Sequence, residues 1–177
     1  MKLSGLKGEH VITVFFGLPG TGKTTIAKLF SKKTNSELIS SDTVRMKFFP
    51  KEDYTESGRM EIYSKMGELS EKFLLEGKSV VLDATFQLPE FREIVFSLEK
   101  KFRQKPLFLL CSTGEKKVIE RLARRNYSKS DSRATEEIYR QLKKGFNLTG
   151  LKYHEIDSSL PKSAALGMAL SFAKVEK

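Results

Sequence analysis

Five short runs of apolar and β-branched residues punctuate the chain: VITVFF at 11–16, ELIS at 37–40, SVVLD at 79–83, PLFLLC at 106–111 and KYHEID at 152–157. Runs such as VVL and LFLL are apolar without alternation, the pattern of strands covered by helices on both faces. Between the runs, apolar residues recur at three- and four-residue spacing, as in Ile26, Leu29, Phe30 and in Ile62, Met66, Leu69, Phe73. The intervening segments therefore read as helices, each with one buried stripe. Strands that alternate with helices predict an α/β fold around a parallel sheet. No repeat, low-complexity tract or Pro/Gly linker divides the 177 residues, and the length suits one domain, 1–177. The least patterned stretch, RRNYSKSDSR at 124–133, reads as a polar loop between two helices and a candidate lid.

The most flexible residues stand beside the stiffest apolar run. In VFFGLPGTGKTTIAKLF, residues 14–30, Gly17, Gly22, Lys23 and Thr24 fit G-x-x-x-x-G-K-[ST], with a strand before the motif and a helix after it. Four fixed positions of this kind arise by chance in a chain of this length about once in a hundred. Such a loop curls so that its backbone N–H groups point inward at phosphates, and the following helix adds the positive end of its dipole. Gly17, Leu18, Pro19, Gly20, Thr21, Gly22, Lys23, Thr24 and Thr25 are accordingly the expected nucleotide-binding residues. Lys23 would reach the β- and γ-phosphates, and the Thr24 hydroxyl would ligate Mg²⁺. No N-K-x-D occurs anywhere in the chain, so the usual guanine-reading element is missing and ATP is the expected nucleotide.

The strand ends supply the remaining chemistry, because ligands of open α/β sheets bind outside the carboxyl ends of the strands. Asp83 ends the third run and is followed by Ala84, where a motor ATPase would carry a catalytic glutamate. That argues against energy-transducing hydrolysis and leaves Asp83 to orient the Mg²⁺ shell or a substrate group, or simply to cap a turn. In LISSDTVRMKFF, Asp42 and Arg45 lie three apart on one face of a helix. Asp42 there suits a general base for a substrate hydroxyl, and Arg45 suits an anionic group on that substrate; helix capping by Asp42 is the plainer use of the same residue. In ERLARRNYSKSDSR, Arg121 and Arg125 are four apart and share a helix face, placed to close over a triphosphate and neutralise charge during transfer.

Charge and composition narrow the partners. Lys and Arg number 32 against 22 Asp and Glu, a net charge of +10 that attracts phosphorylated ligands or nucleic acid as readily as it keeps a protein dissolved. One cysteine excludes a disulfide framework, and no stretch has the make-up of a secretion signal or approaches the length of a membrane span, which together point to the cytoplasm. Cys111, at the end of an apolar run, reads as a small buried hydrophobe, and His10 and His154 lack metal-ligand spacing. Of the aromatic residues Phe48, Phe49, Tyr54 and Tyr63, only Tyr54 falls in a polar loop and is a candidate substrate contact.

FGLPGTGKTT, SSDTVR, VVLDATFQLPEFR and ERLARRNYSKSD, in this order, resemble the P-loop kinases grouped with polynucleotide 5′-kinases, zeta toxins, gluconate kinases and chloramphenicol phosphotransferases. The likeness covers nearly the whole chain and is nearest to the small kinases of that group. It implies a three-layer domain with a five-stranded parallel sheet in the order 2-3-1-4-5, ATP with Mg²⁺, and transfer of the γ-phosphate to a hydroxyl. Carried over residue by residue, it makes Lys23 and Thr24 part of the nucleotide loop, Asp42 the general base, Arg45 the substrate-binding arginine of Asp-x-x-Arg, Arg121 and Arg125 the lid arginines, and Arg92 a further arginine near the acceptor. Asp83 and Thr85 stand where the acceptor would be contacted. Where polynucleotide kinases carry Asp-Asn-Thr-Asn, this chain has Asp83, Ala84, Thr85 and Phe86, two amides fewer for a nucleic acid. It also lacks the Asp-Gly-Arg of nucleoside monophosphate kinase lids. The expected acceptor is therefore a hydroxyl, on a small molecule or at a nucleic-acid 5′ end. The rival from another class is an ATP-binding switch that transfers little phosphate.

Overall fold

A computed structural model of the chain describes residues 12–49, 55–125 and 134–175. The lid expected at 124–133 falls outside the described residues from position 126 onward, as do Tyr54 and His10. Five strands form one sheet: β1 (Ile12–Phe16), β2 (Glu37–Ser40), β3 (Val80–Asp83), β4 (Leu107–Ser112) and β5 (His154–Asp157). Their order is β2-β3-β1-β4-β5 and every pairing is parallel, as the resemblance implied. Among the described residues seven helices connect and cover them: α1 (Lys23–Thr34), α2 (Ser41–Phe48), α3 (Glu56–Leu75), α4 (Pro89–Phe102), α5 (Glu115–Ala123), α6 (Glu136–Lys144) and α7 (Lys162–Val175).

β1 is buried along its whole length, and its side chains alternate between two cores. Val14 and Phe16 face the core built with α2, α3 and α4, which includes Met66, Phe91 and Val95. Phe15 faces the other, with Ile26 and Phe30 of α1 and Ala165 and Ala169 of α7. This period-two alternation inside an unbroken apolar run is what a central strand with helices on both sides requires.

The helix ends follow their sequences. Thr55 caps α3 by accepting from the Gly58 N–H at 3.1 Å, and Thr135 caps α6 by accepting from the Ile138 N–H at 3.3 Å. α4 begins with Pro89, whose missing N–H costs nothing in a first turn. Register matters more for the site. Ser40 of β2 and Phe15 of β1 both stand opposite Asp83 of β3, so three strands deliver their carboxyl ends to one edge.

Candidate active site

At that edge β1 passes into the glycine-rich loop. Gly17 has φ +139°, and a Cβ added to it would lie 2.5 Å from the Cys111 carbonyl oxygen, so only glycine fits where the loop crosses the end of β4. The Gly17 N–H donates to the Thr85 carbonyl at 3.4 Å, and the Thr21 hydroxyl donates to the Leu18 carbonyl at 2.8 Å. Gly22, at φ +90°, turns the chain into α1, whose first residues are the half-buried Lys23 and Thr24.

Two clefts meet over this loop. The first, of about 560 Å³, is lined by Gly20, Gly22, Lys23, Thr24 and Thr25 on one side and by Arg121, Arg125, Ser158 and Pro161 on the other. The second, of about 380 Å³, lies between α2, α3 and α6 and takes in Pro19, Arg45, Arg59, Tyr63, Thr85 and Glu137. Lys23 and Asp42 line both. Of the expected site residues, Gly20, Gly22, Lys23, Thr24, Thr25, Arg121 and Arg125 thus gather at the first cleft, Pro19, Arg45 and Thr85 at the second, and Asp42 where the two join, whereas Gly17, Leu18 and Thr21 line neither.

Asp83 lies beneath the loop at 1% exposure and lines neither cleft. Neither carboxylate oxygen has a hydrogen-bond partner in good geometry among the described residues. Burial pushes its carboxyl above the ordinary 3.8, while the Lys23 ammonium and the nearby Thr24 hydroxyl pull the other way. Cys111 is buried as well, and its thiol is pushed up to about 12, which leaves it inert as a nucleophile.

Arg92 does not occupy the place expected for it. It is 2% exposed and lines neither cleft. Its Nε donates to the Phe86 carbonyl at 2.9 Å, and its Nη2 donates to the Gln87 carbonyl at 3.1 Å and to the Asn147 carbonyl. Desolvation lowers its pKa, and three carbonyl dipoles compensate the charge. Arg92 is a clamp: it holds the turn after β3, where Phe86 sits at φ +45°, against the segment after α6.

Three contributors escape a reading of the sequence. Ser158, 6% exposed, has its hydroxyl within reach of the Thr21 and Ser112 carbonyls and accepts from Arg121 Nη1 at 3.2 Å. Arg121 also donates to the Ser158 carbonyl at 2.6 Å and to the Gly20 carbonyl at 3.3 Å, so α5 is tied directly to the loop. Arg59 and Gln87, far apart in sequence, bond to each other at the second cleft, which Arg59 lines. No local pattern marks such residues, because only the fold brings them together. A helix boundary directly after the Asp83-to-Gln87 turn was the one available signal for Gln87.

Comparison with known proteins agrees with this architecture. Three mycobacterial relatives, among them an uncharacterized protein of Mycobacterium tuberculosis strain H37Rv, are 26% identical over 86% of this chain and 32% of their own length. The chain thus spans about a third of the curated relatives it matches. Among solved structures, a sugar kinase from Janibacter sp. HTCC2649 is similar at a TM-score of 0.74 and 16% identity, covering 94% of this chain and 95% of that one. The Mycobacterium tuberculosis APS kinase in complex with AMPPNP and APS gives 0.74 at 15% identity, covering 94% and 99%. A gluconokinase from Sinorhizobium meliloti 1021 gives 0.69 at 16% identity, covering 93% of each chain. At these identities the likeness is one of fold, the P-loop kinase fold. The AAA domain family matches residues 12–149, a span that holds the loop, Asp42, Asp83, Arg121 and Arg125, and the chain belongs to that family of P-loop proteins.

Proposed function

We propose that this chain is an ATP- and Mg²⁺-dependent kinase that transfers the γ-phosphate to a hydroxyl. The observation that carries the reading is the shared wall: Lys23 and Asp42 line both the cleft over the phosphate loop and the cleft beside it. A group bound in the first and a group bound in the second therefore meet between a cation and a carboxylate.

In this reading Asp42 takes the proton of the acceptor hydroxyl as its oxygen attacks the γ-phosphorus. The new P–O bond forms, the bond to the β,γ-bridging oxygen breaks, and ADP leaves. Lys23 balances charge on the phosphates, and Arg121 and Arg125 face them from the opposite wall of the first cleft. Arg45 and Thr85 contact the acceptor in the second cleft. Asp83 and the Thr24 hydroxyl fit a magnesium site: a buried carboxylate whose oxygens find no hydrogen-bond partner in good geometry among the described residues, beside a hydroxyl at the start of α1, is a donor set suited to a hard cation. Bound there, Mg²⁺ supplies charge neutralisation to the transferring group.

Asp42→Asn tests the assignment. Transfer of labelled γ-phosphate to a panel of 5′-hydroxyl oligonucleotides, nucleosides, sugars and antibiotics is expected to fall by about 10²–10⁴, with ATP affinity unchanged. Tight ATP binding without transfer to any acceptor would instead favour a nucleotide-operated switch.

A further inference from the structure

The acceptor cleft contains a second arginine that the kinase reading does not use. Arg59, in the first turns of α3, lines the same cleft as Arg45. Its Nη2 donates to Gln87 Oε1 at 3.1 Å, its guanidinium carbon stands 4.5 Å from the centre of the Phe91 ring, and it lies beside the buried Tyr63 hydroxyl. All three of these partners are neutral. They fix the guanidinium without discharging it.

The supports are themselves fixed. Gln87 is 8% exposed, and its carbonyl accepts from Arg92 and from the Asn147 N–H. The Tyr63 hydroxyl accepts from the Phe86 N–H at 2.9 Å, and the Tyr63 ring stacks on Phe91 at 4.6 Å. A half-buried guanidinium held in one orientation by rigid neutral groups is set to receive a planar or tetrahedral anion through its remaining N–H groups. A cationic acceptor is repelled by it, and a neutral hydroxyl gains only a single-charge hydrogen bond in place of a paired one.

We infer that the acceptor is a small hydroxylated molecule bearing a carboxylate or a phosphate, held by Arg59 together with Arg45 while its hydroxyl faces Asp42. This rests on the kinase reading above and narrows its substrate class. The cleft volume of about 380 Å³ stands at the small end of the range for small-molecule sites, about 300–1,000 Å³. The chemical step is unchanged: the acceptor oxygen gains the phosphoryl group, its proton passes to Asp42, ADP departs, and the anionic group takes no part beyond anchoring.

Matched acceptor pairs test the inference: gluconate against glucitol for a carboxylate, glycerol 3-phosphate against glycerol for a phosphate, with a 5′-hydroxyl RNA oligonucleotide alongside. The expected result is that the anionic member of a pair is preferred by at least about tenfold in kcat/KM, as loss of one charge-assisted hydrogen bond implies. Arg59→Gln should erase that preference by raising KM for the anionic member, with ATP affinity unchanged, and Arg59→Lys should restore part of it. Equal use of both members, a preference that survives Arg59→Gln, or transfer to the oligonucleotide alone would overturn the inference. If no acceptor is phosphorylated, the kinase reading fails by itself, and calorimetric titration of the same pairs into protein saturated with AMPPNP and Mg²⁺ decides the anion site separately. Anion-selective binding lost in Arg59→Gln supports the site, and unselective or absent binding overturns it. Should Arg59→Gln fail to fold, the preference of the unaltered protein within each pair remains decisive.

Discussion

Asp83 shows how a role proposed for a single residue is set against stability. Its carboxyl is buried without a hydrogen-bond partner in good geometry among the described residues, and burial holds its pKa above the ordinary 3.8. The folded state thus favours the protonated form. The contribution of this group to stability is complete below the unfolded value near 3.8 and is lost as pH rises through the folded value. At neutral pH the charge is a burden on the empty protein. Asp83→Asn should therefore raise the melting temperature of the nucleotide-free protein at pH 7, by about 2–4 °C for each kcal/mol relieved, and the gain should shrink as pH falls toward 4. The same variant should forfeit the additional stabilisation that Mg²⁺ gives to bound ATP. A lower melting temperature at pH 7, followed by differential scanning calorimetry, would mean that donors hold Asp83 more firmly than its geometry indicates. Arg92 is the opposite case: its charge is buried but answered by three carbonyls, so its work is done within the fold.

At the scale of elements, the phosphate loop and the last helix use glycine in contrasting ways. Gly17 needs its positive φ and its missing Cβ, because a methyl group would meet backbone at 2.5 Å. Gly167 lies within α7 with nothing inside 4 Å of an added Cβ. Gly17→Ala is expected to abolish nucleotide binding in a fluorescence titration and to destabilise the fold. Gly167→Ala should stabilise it by about 0.5–1 kcal/mol in denaturant unfolding, through helix propensity alone. The elements were also what the sequence revealed best. All five strands stand within two residues of their apolar runs, because an unalternating run between helical stripes has few other uses in a parallel sheet. The loop was legible because its glycines, lysine and threonine act within one turn of chain. Arg92 was misplaced for the converse reason. In PEFR at the start of a helix it looks like one more polar residue, and nothing local tells that the helix turns it inward onto the carbonyls of the preceding turn and one from a segment more than fifty residues later. Ser158, Arg59 and Gln87 likewise acquire their roles only from the order of strands.

For the whole molecule, the +10 charge and the two clefts bear on each other. A basic surface raises the local concentration of phosphorylated ligands and hastens their capture at low salt. Among the described residues no helix is long and apolar enough to cross a membrane. ATP with Mg²⁺ at a hundred times its dissociation constant should add about 2.7 kcal/mol of stability, which for a chain of this size corresponds to a rise of roughly 5–11 °C in a thermal melt. A rise that appears with ATP but not with GTP would fit the missing guanine-reading element, and no rise with either would count against the nucleotide cleft. The bonds of Ser158 matter at this scale too. One hydroxyl touches the phosphate loop, the end of β4 and the arginine of α5, so the floor, the side wall and the roof of the nucleotide chamber share a single fastening. Displacing α5 would strain that shared hydroxyl and the direct bond from Arg121 to the Gly20 carbonyl together, so helix and loop are coupled at two places.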